Sequence, residues 1–218
     1  MANVVDVGNH MQLTSLESSQ GLAIFVDFAA AFPSVDHDFI EDFLASLNWP
    51  NWLIGIVRVL YANTRCIIAT GGRRSAGFAL EAGIRQGCPL SPLLFAVIAD
   101  LVLRRLQRLF PSALVRAYAD DIAMILNNGL GNLRLLEHLL GEYALLSGLH
   151  VHHGKTVLVP LAPHSMDHIK ALVVSEAPSW SDVRVKYSAE YLGFVLGLDC
   201  AAKSLKQSFK KLLGRAKT

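Results

Sequence analysis

Two adjacent carboxylates, Asp120 and Asp121, lie inside an otherwise apolar run of the chain, AYADDIAMI at residues 117–125. Apolar residues precede and follow the pair, a pattern typical of two short buried strands. Burying two like charges side by side is unfavourable unless a positive charge compensates them. Because neighbours in a regular strand point to opposite faces, we predict a tight hairpin with Ala119, Asp120 and Asp121 at its tip, where both carboxylates could share a cation.

A third acid, Asp27, ends the apolar segment LAIFVD at residues 22–27, which predicts another buried strand. A single buried aspartate is most often a capping or hydrogen-bonding residue, so a catalytic role depends on its convergence with the Asp120–Asp121 pair. Carboxylates that converge from a strand and a hairpin suit two Mg²⁺ ions, which prefer oxygen ligands and substrate phosphates. Two such ions support in-line displacement at phosphorus, so the pattern suggests phosphoryl transfer.

The elements that would position these acids follow from hydrophobic periodicity and from helix-start and turn signals. We predict helices at residues 36–49, 50–63, 91–109, 131–147 and 199–218, with Asp36 capping the first and Ser91 the third. We predict strands at residues 22–28, 65–70, 76–83, on both sides of the aspartate pair, at 156–160 and in a pair near 183–196. Residues 161–182 show no clear pattern. Helices mixed with hairpins indicate an α+β fold rather than a doubly wound sheet.

The composition is that of a globular protein with a sizeable core. Of 218 residues, 52% are hydrophobic and 17% are charged, which excludes global disorder. The formal net charge of +2 neither requires nor excludes a nucleic-acid partner. Three widely spaced cysteines fit no disulfide framework and no zinc pattern, so we expect an intracellular setting, in either nucleus or cytoplasm. We expect no secretory signal and no membrane partner, because no apolar run is long enough to cross a bilayer.

Five motifs follow one another between Leu22 and Gly193: FVDFAAAFPSV, GIRQGCPLSPLLF, YADD, GLHVHHGKT and YLG. Their order resembles the palm motifs of reverse transcriptases, most closely those of non-LTR (LINE-type) retrotransposons. The second and third motifs together are highly specific, whereas YLG alone would carry little weight. The resemblance implies a polymerase palm, an antiparallel sheet with helices packed on one face. It also implies RNA-directed DNA synthesis, with nucleotide transfer from a dNTP to a DNA primer 3′-hydroxyl on an RNA template.

The same resemblance implies a role for each matching residue near the metals. Asp27 and Asp120 would hold two Mg²⁺ ions, with Mn²⁺ as an alternative, and the backbone carbonyl of Phe28 would add a ligand. Asp121 would support this pair as a third catalytic carboxylate.

Substrate-contacting residues are implied in the same way. Phe32 matches the aromatic residue that excludes a ribose 2′-hydroxyl, although an ordinary core aromatic fits the local pattern equally well. Gln86 and Gly87 match residues that contact the incoming nucleotide and the template, and they also form a turn before a helix. Lys155 matches a lysine near the triphosphate that could protonate pyrophosphate or offset its charge, although a lone lysine is more often merely solvated.

Tyr191, Leu192 and Gly193 match the loop that supports the primer end. Histidines His150 and His152, together with His153, suggest a zinc site, but without a partner cluster they are more often ordinary polar residues. His152 also stands where an asparagine is common in the family.

The resemblance also bears on domain organisation. We predict residues 1–21 as an N-terminal remnant, 22–198 as the palm, and 199–218 as a basic C-terminal helix that could begin a thumb and contact phosphates. Few residues precede Asp27, so we expect the fingers and thumb to be largely missing. Ala30 and Pro33 replace a lysine and an aspartate that many relatives carry, which removes charge near the site.

Two other functions remain open from the sequence. The chain could be an inactive reverse-transcriptase-derived fragment that folds and binds nucleic acid, as the expected loss of fingers and thumb suggests. An RNA-templated RNA polymerase with a related palm is the third hypothesis, and Phe32 disfavours it. The sequence does not predict the oligomeric state.

Overall fold

A computed structural model describes residues 2–197, which form seven α-helices and nine strands. The helices are α1 (Ala2–Glu17), α2 (Ala31–Ser34), α3 (His37–Ser46), α4 (Asn51–Tyr61), α5 (Ser91–Leu109), α6 (Leu133–Ser147) and α7 (Met166–Glu176). The strands are β1 (Leu22–Val26), β2 (Arg65–Thr70), β3 (Arg73–Ala79), β4 (Leu114–Tyr118), β5 (Asp121–Leu126), β6 (Val157–Pro160), β7 (Arg184–Val185), β8 (Ser188–Tyr191) and β9 (Phe194–Gly197). The predicted C-terminal helix at residues 199–218 lies outside the described residues.

The described residues divide into two compact units. The first contains residues 2–28, 103–141 and 151–197, and the second contains residues 29–102 and 142–150. No helix among residues 2–197 is both long and apolar enough to span a membrane.

A five-stranded sheet forms the centre of the first unit, in the order β4-β5-β1-β6-β7. Strand β1 is central because all five of its residues, LAIFV, are apolar and buried, so neither face can be left to solvent. It pairs antiparallel with β5 on one side and with β6 on the other, while β6 and β7 pair in parallel. The sheet is therefore mixed, with antiparallel pairing around its centre.

Helix α1 and the β8–β9 hairpin contribute to the core on one face of this sheet. Alternate strand residues such as Ala23 and Phe25 point to this face, where they meet Val7 and Met11 of α1 and Tyr191 of β8. These side chains are all less than a tenth exposed. The sequence patterns did not predict helix α1, although its buried residues Val7, Met11 and Thr14 recur at helical spacing.

The second unit consists of short helices, a hairpin and the N-terminal part of α5. Asp36 caps α3 as predicted, because its side chain accepts a hydrogen bond from the Phe39 N–H at 2.9 Å. Ser91 begins α5, but its hydroxyl donates to the carbonyl of Arg85. The predicted capping role of Ser91 is thus replaced by a contact that closes the loop before the helix.

The predicted α+β class is confirmed, although the expected antiparallel sheet is mixed because β7 pairs in parallel with β6. Most predicted elements occur within a few residues of their expected ends. Helix α7 is, with α1, an element absent from the prediction, and it lies in residues 161–182, which showed no pattern. Its N-cap is Ser165, whose hydroxyl accepts from the His168 N–H at 3.1 Å.

Candidate active site

The pairing of β1 with β5 brings two of the predicted acids together. Val26 lies opposite Ile122 at the end of the paired register, and continuing that register by one residue would place Asp27 across from Asp121. Asp27 follows the last residue of β1, and Asp121 is the first residue of β5. Both carboxylates therefore lie at the same edge of the sheet, where the buried part of each strand ends.

Asp120 lies beside them in the turn between β4 and β5. Tyr118 pairs directly with Asp121, so only Ala119 and Asp120 form the loop. Ala119 has a φ of 52°, a left-handed value that alanine rarely adopts. The predicted tight hairpin is present, although Asp121 already belongs to the strand rather than to the loop.

The electrostatic environment of Asp121 reflects this crowding of acids. Partial burial raises the pKa of its carboxyl above the ordinary value, and the negative charges of Asp120 and Asp27 raise it further. Each of these causes opposes ionisation at this edge of the sheet. A bound cation would counteract these causes, because it favours the ionised form of the carboxyl.

Main-chain hydrogen bonds hold Asp27 in place from the β6 side. Its N–H donates to the hydroxyl of the fully buried Thr156 at 3.2 Å, and its carbonyl accepts from the His152 N–H at 2.7 Å. Phe28, the next residue, is buried and forms a β-bridge with Val151. Thr156 is a positioning residue that the sequence patterns did not single out, although it is the last residue of GLHVHHGKT.

One oxygen of Asp27 lacks a hydrogen-bond donor. Its Oδ1 atom is buried and has no hydrogen-bond partner, and the ammonium of Lys155 lies 3.7 Å away, within ion-pair distance only. Such an unsatisfied buried oxygen is unfavourable unless another group binds it. Lys155 is 61% exposed at its side chain, so it remains accessible to a ligand.

The carboxylate oxygens at this edge of the sheet are of the chemical type that binds a hard divalent cation. Carboxylate oxygens are the ligands that Mg²⁺ prefers, and the unpartnered Asp27 oxygen lies at the same edge as Asp121. Within residues 2–197, however, no group of three or more His, Cys, Asp or Glu side chains is arranged to hold a metal ion. That result covers the three acids as well as His150, His152 and His153.

Tyr191 lies close to the same acids but belongs to the core. Its ring lies 5.7 Å from that of Phe25, and its hydroxyl is buried. Burial raises the pKa of Tyr191, and the charge of Asp121 raises it further. Leu192 and Gly193 form the two-residue turn of the β8–β9 hairpin, with φ values of 49° and 83°. Two successive positive φ angles define a type I′ turn, which suits the twist of a hairpin.

Phe32, Gln86 and Gly87 belong to the second unit. The Phe32 ring is partly exposed and stacks on Phe95, with centroids 4.5 Å apart and planes 18° from parallel. The Phe32 carbonyl accepts from the Ile84 N–H at 2.6 Å, which ties this segment to the loop that carries Gln86 and Gly87.

The loop at Gln86 and Gly87 is exposed and closed by the Ser91 hydroxyl described above. Gly87 has a φ of 87°, and a Cβ atom there would meet nothing within 4 Å. Glycine is thus favoured here by its positive φ angle and not by crowding. The open space around it leaves room for a ligand to approach the backbone.

Helix α1 supplies contacts to the acidic hairpin that the sequence patterns missed. The Arg116 guanidinium of β4 donates to the Asp6 carboxylate at 3.0 and 3.2 Å, and the Asn3 amide donates to the Ala117 carbonyl at 3.3 Å. Both contacts hold the strand that leads into Asp120. No local signal connects residues more than a hundred positions apart, so only the tertiary structure reveals them.

Comparison with known proteins agrees with this fold. The model of the reverse transcriptase (RNA-dependent DNA polymerase) family matches residues 2–196. The chain therefore belongs to the reverse transcriptase family, and its relatives identify it as a LINE-type domain, as its motifs predicted. Reverse transcriptases generally use divalent metal ions.

Two curated relatives and one solved structure illustrate the similarity. The transposon TX1 uncharacterized 149 kDa protein of Xenopus laevis is 24% identical over 176 residues, covering 77% of this chain and 13% of that protein. The Pol polyprotein from the type-2 retrotransposable element R2DM of Drosophila melanogaster is 29% identical over 144 residues, covering 62% of this chain and 13% of that protein. Apo telomerase from Candida tropicalis superposes with a TM-score of 0.62 at 13% identity, covering 90% of this chain and 34% of that one. The last match shows the fold alone.

Proposed function

We propose that this chain is the palm of an RNA-directed DNA polymerase that extends a DNA primer on an RNA template. The observation that carries the proposal is the β1–β5 pairing, which brings Asp27 to the edge of the sheet where Asp121 and the Asp120 turn lie, close enough for the charges of Asp27 and Asp120 to raise the pKa of Asp121. In the proposed reaction the primer 3′-oxygen attacks the α-phosphorus of a dNTP and pyrophosphate leaves. Two Mg²⁺ ions, when bound, would activate the attacking oxygen and stabilise the leaving one.

Residues at different positions of the site would have different roles in this reaction. Asp27 and Asp120 would hold the ions with the Phe28 carbonyl, and Asp121 would add negative charge next to them. Lys155, whose ammonium lies 3.7 Å from Asp27 and is largely exposed, would offset the charge of the leaving pyrophosphate.

Residues of the second unit and of the last hairpin would select and orient the substrates. Phe32 would exclude a ribose 2′-hydroxyl, and Gln86 and Gly87 would contact the nucleotide and the template. The exposed part of the Tyr191–Leu192–Gly193 segment is its turn, which would support the primer end.

Primer extension on an RNA template with dNTPs and Mg²⁺ tests the proposal. We expect Asp120→Ala to lower incorporation by about a hundredfold or more, because the reaction depends on charge placed at the phosphoryl group. Asp182→Ala removes an equally acidic but exposed side chain outside the site, and should extend the primer like wild type. Equal incorporation by Asp120→Ala and wild type would refute the assignment, and efficient use of ribonucleotides by wild type would favour RNA synthesis instead.

A second candidate is a reverse-transcriptase-derived domain that binds nucleic acid without polymerising. This candidate differs from the first in that Asp27, Asp120 and Asp121 would hold no metal ion. The chain spans 13% of each of the two relatives compared above. Salt-sensitive RNA binding without Mg²⁺-dependent synthesis would support this candidate, and robust extension would eliminate it.

A further inference from the structure

Strands β2 and β3 of the second unit form a two-stranded ribbon, residues 65–79, that we term the arginine hairpin. The two strands pair only with each other within the described sheets. Ile67 is 64% exposed, Ile68 46% and Phe78 58%. An isolated two-stranded ribbon is marginally stable in water, and apolar side chains exposed on it are typical of a binding surface.

Both faces of the ribbon carry apolar and basic side chains. Arg74 lies opposite Ala69, and Arg73 lies opposite Thr70. Because neighbouring strand residues alternate and directly opposed residues share a face, Arg74 is on the face of Ile67 and Arg73 is on the other. Neither face is covered by the rest of the unit, as their exposure shows.

The charge of the arginine hairpin has one sign. Residues 64–80 contain Arg65, Arg73 and Arg74 and no acidic residue. Some exposed arginines elsewhere are paired with a carboxylate, as Arg134 is with Glu176 at 3.3 Å. Within the described part of the chain, neither Arg73 nor Arg74 has a carboxylate partner.

The tip of the ribbon is open. Gly71 and Gly72 form the turn, both have positive φ, and a Cβ atom at either would meet nothing within 4 Å. A strand of another molecule could therefore cross the tip and contact Arg73 on one side and Arg74 on the other.

We propose that the arginine hairpin binds single-stranded RNA, with Arg73 and Arg74 on phosphates and Phe78 stacked on a base. This inference rests on the proposed function and assigns part of its RNA contact to a defined segment. Phosphates match a ribbon with three cations and no anion, whereas a protein partner would have no such requirement. Stacking on an exposed aromatic requires an unpaired base, and the deep major groove of duplex RNA is too narrow for side chains to enter.

Fluorescence anisotropy of the full chain with a labelled single-stranded RNA tests the inference. The titrations contain EDTA and no dNTP, so they do not depend on polymerisation. We expect Arg73→Ala with Arg74→Ala to weaken binding and to make the slope of log K against log salt shallower by about 1.4, because each lost phosphate contact contributes about 0.7. Phe78→Ala should weaken binding about fivefold or more.

Matched variants separate the arginine hairpin from general charge. Arg108→Ala with Arg184→Ala removes two exposed arginines outside the hairpin that have no ion-pair partner among the described residues and should change affinity much less. Arg73→Lys with Arg74→Lys keeps both charges and should restore the salt slope. Circular dichroism and thermal unfolding should be unchanged in all of these variants, since each altered arginine is exposed.

Three results would overturn the inference. The first is equal affinity and salt slope for wild type and the Arg73/Arg74 alanine variant. The second is tighter binding of duplex than of single-stranded RNA through the same arginines. The third is self-association that increases with protein concentration in sedimentation experiments and is abolished by Phe78→Ala, while this variant keeps its RNA affinity. That result would make the hairpin a contact between copies of the chain. Because the titrations contain EDTA and no dNTP, a failure of polymerisation leaves this test valid.

Discussion

The repulsion between like charges at the site is clearest at the carboxyl of Asp121. Asp121 begins a buried strand, follows a second acid and lies at the same edge of the sheet as a third. Like charges that lie close together lower stability, and they persist in proteins where binding or catalysis needs them. The raised pKa of Asp121 is a direct expression of that cost.

A prediction at the residue scale follows from this shift. The folded protein holds the Asp121 proton more tightly than the unfolded chain does, because the pKa of this carboxyl is raised from its ordinary value of 3.8. The protonated carboxyl therefore stabilises the folded state at pH values below 3.8. This stabilisation is lost as the pH rises through the raised pKa. Asp121→Asn should therefore increase the free energy of unfolding at pH 7, by less than about 1 kcal/mol because solvent screens an exposed carboxylate.

Urea unfolding in EDTA at pH 7 and pH 3.5 measures this effect. The gain from Asp121→Asn should shrink at the lower pH, where the wild-type carboxyl is largely protonated. Glu190→Gln, at an exposed position of β8, should show little gain at either pH. A loss of stability at pH 7 in Asp121→Asn would contradict the prediction.

At the scale of elements, helix α1 braces the hairpin that carries the acids. Asp6 of α1 forms an ion pair with Arg116 of β4. The Thr14 hydroxyl donates a hydrogen bond at 3.1 Å to the side chain of Asn127, just after β5. The apolar face of α1 packs against the core. Exposed ion pairs contribute little to stability, so most of the stabilisation comes from the packed face.

Met11 and Leu16 of α1 offer a matched test. Met11 is 4% exposed and Leu16 is 86% exposed. Met11→Ala should lower the free energy of unfolding by about 2–3 kcal/mol through lost burial and a residual cavity. Leu16→Ala should change it by less than about 0.5 kcal/mol. Chemical denaturation measures both, and similar small losses would show that α1 is not part of the core.

At the scale of the whole molecule, the proposed metal ions link function to stability. A cation that binds only the folded state stabilises it by mass action. At a Mg²⁺ concentration ten times Kd, the thermal midpoint of wild type should rise by about 3–6 °C. Asp27→Asn should reduce this rise, because the amide lacks the negative charge of the carboxylate whose Oδ1 atom has no hydrogen-bond partner.

Differential scanning calorimetry with and without Mg²⁺ measures the rise. Asp182→Asn is the matched control and should keep the wild-type response. Equal shifts in wild type, Asp27→Asn and Asp120→Asn would show that Mg²⁺ acts elsewhere on the chain, and would favour the non-catalytic candidate.

Much of the local structure could be predicted from the sequence, because its signals are short-range. Alternating and continuous apolar runs identify β1, β4 and β5, and Asp36 starts α3 through its own side chain. The motifs GIRQGCPLSPLLF and YADD identify the family without any structure. Helix α7 was missed because weak hydrophobic periodicity competes poorly with the surrounding proline and serine residues.

Only the tertiary structure decided how distant segments meet. No local pattern shows that β1 pairs with β5 and β6, that Asp27 therefore lies at the same edge of the sheet as Asp121, or that its main chain is held by Thr156. Nor does any local pattern bury Tyr191 against Phe25 or join Asp6 to Arg116. Periodicity and capping depend on a residue and its near neighbours, whereas sheet register depends on burying the faces of several strands at once. The identity of the acids is thus a property of the sequence, and their convergence is a property of the fold.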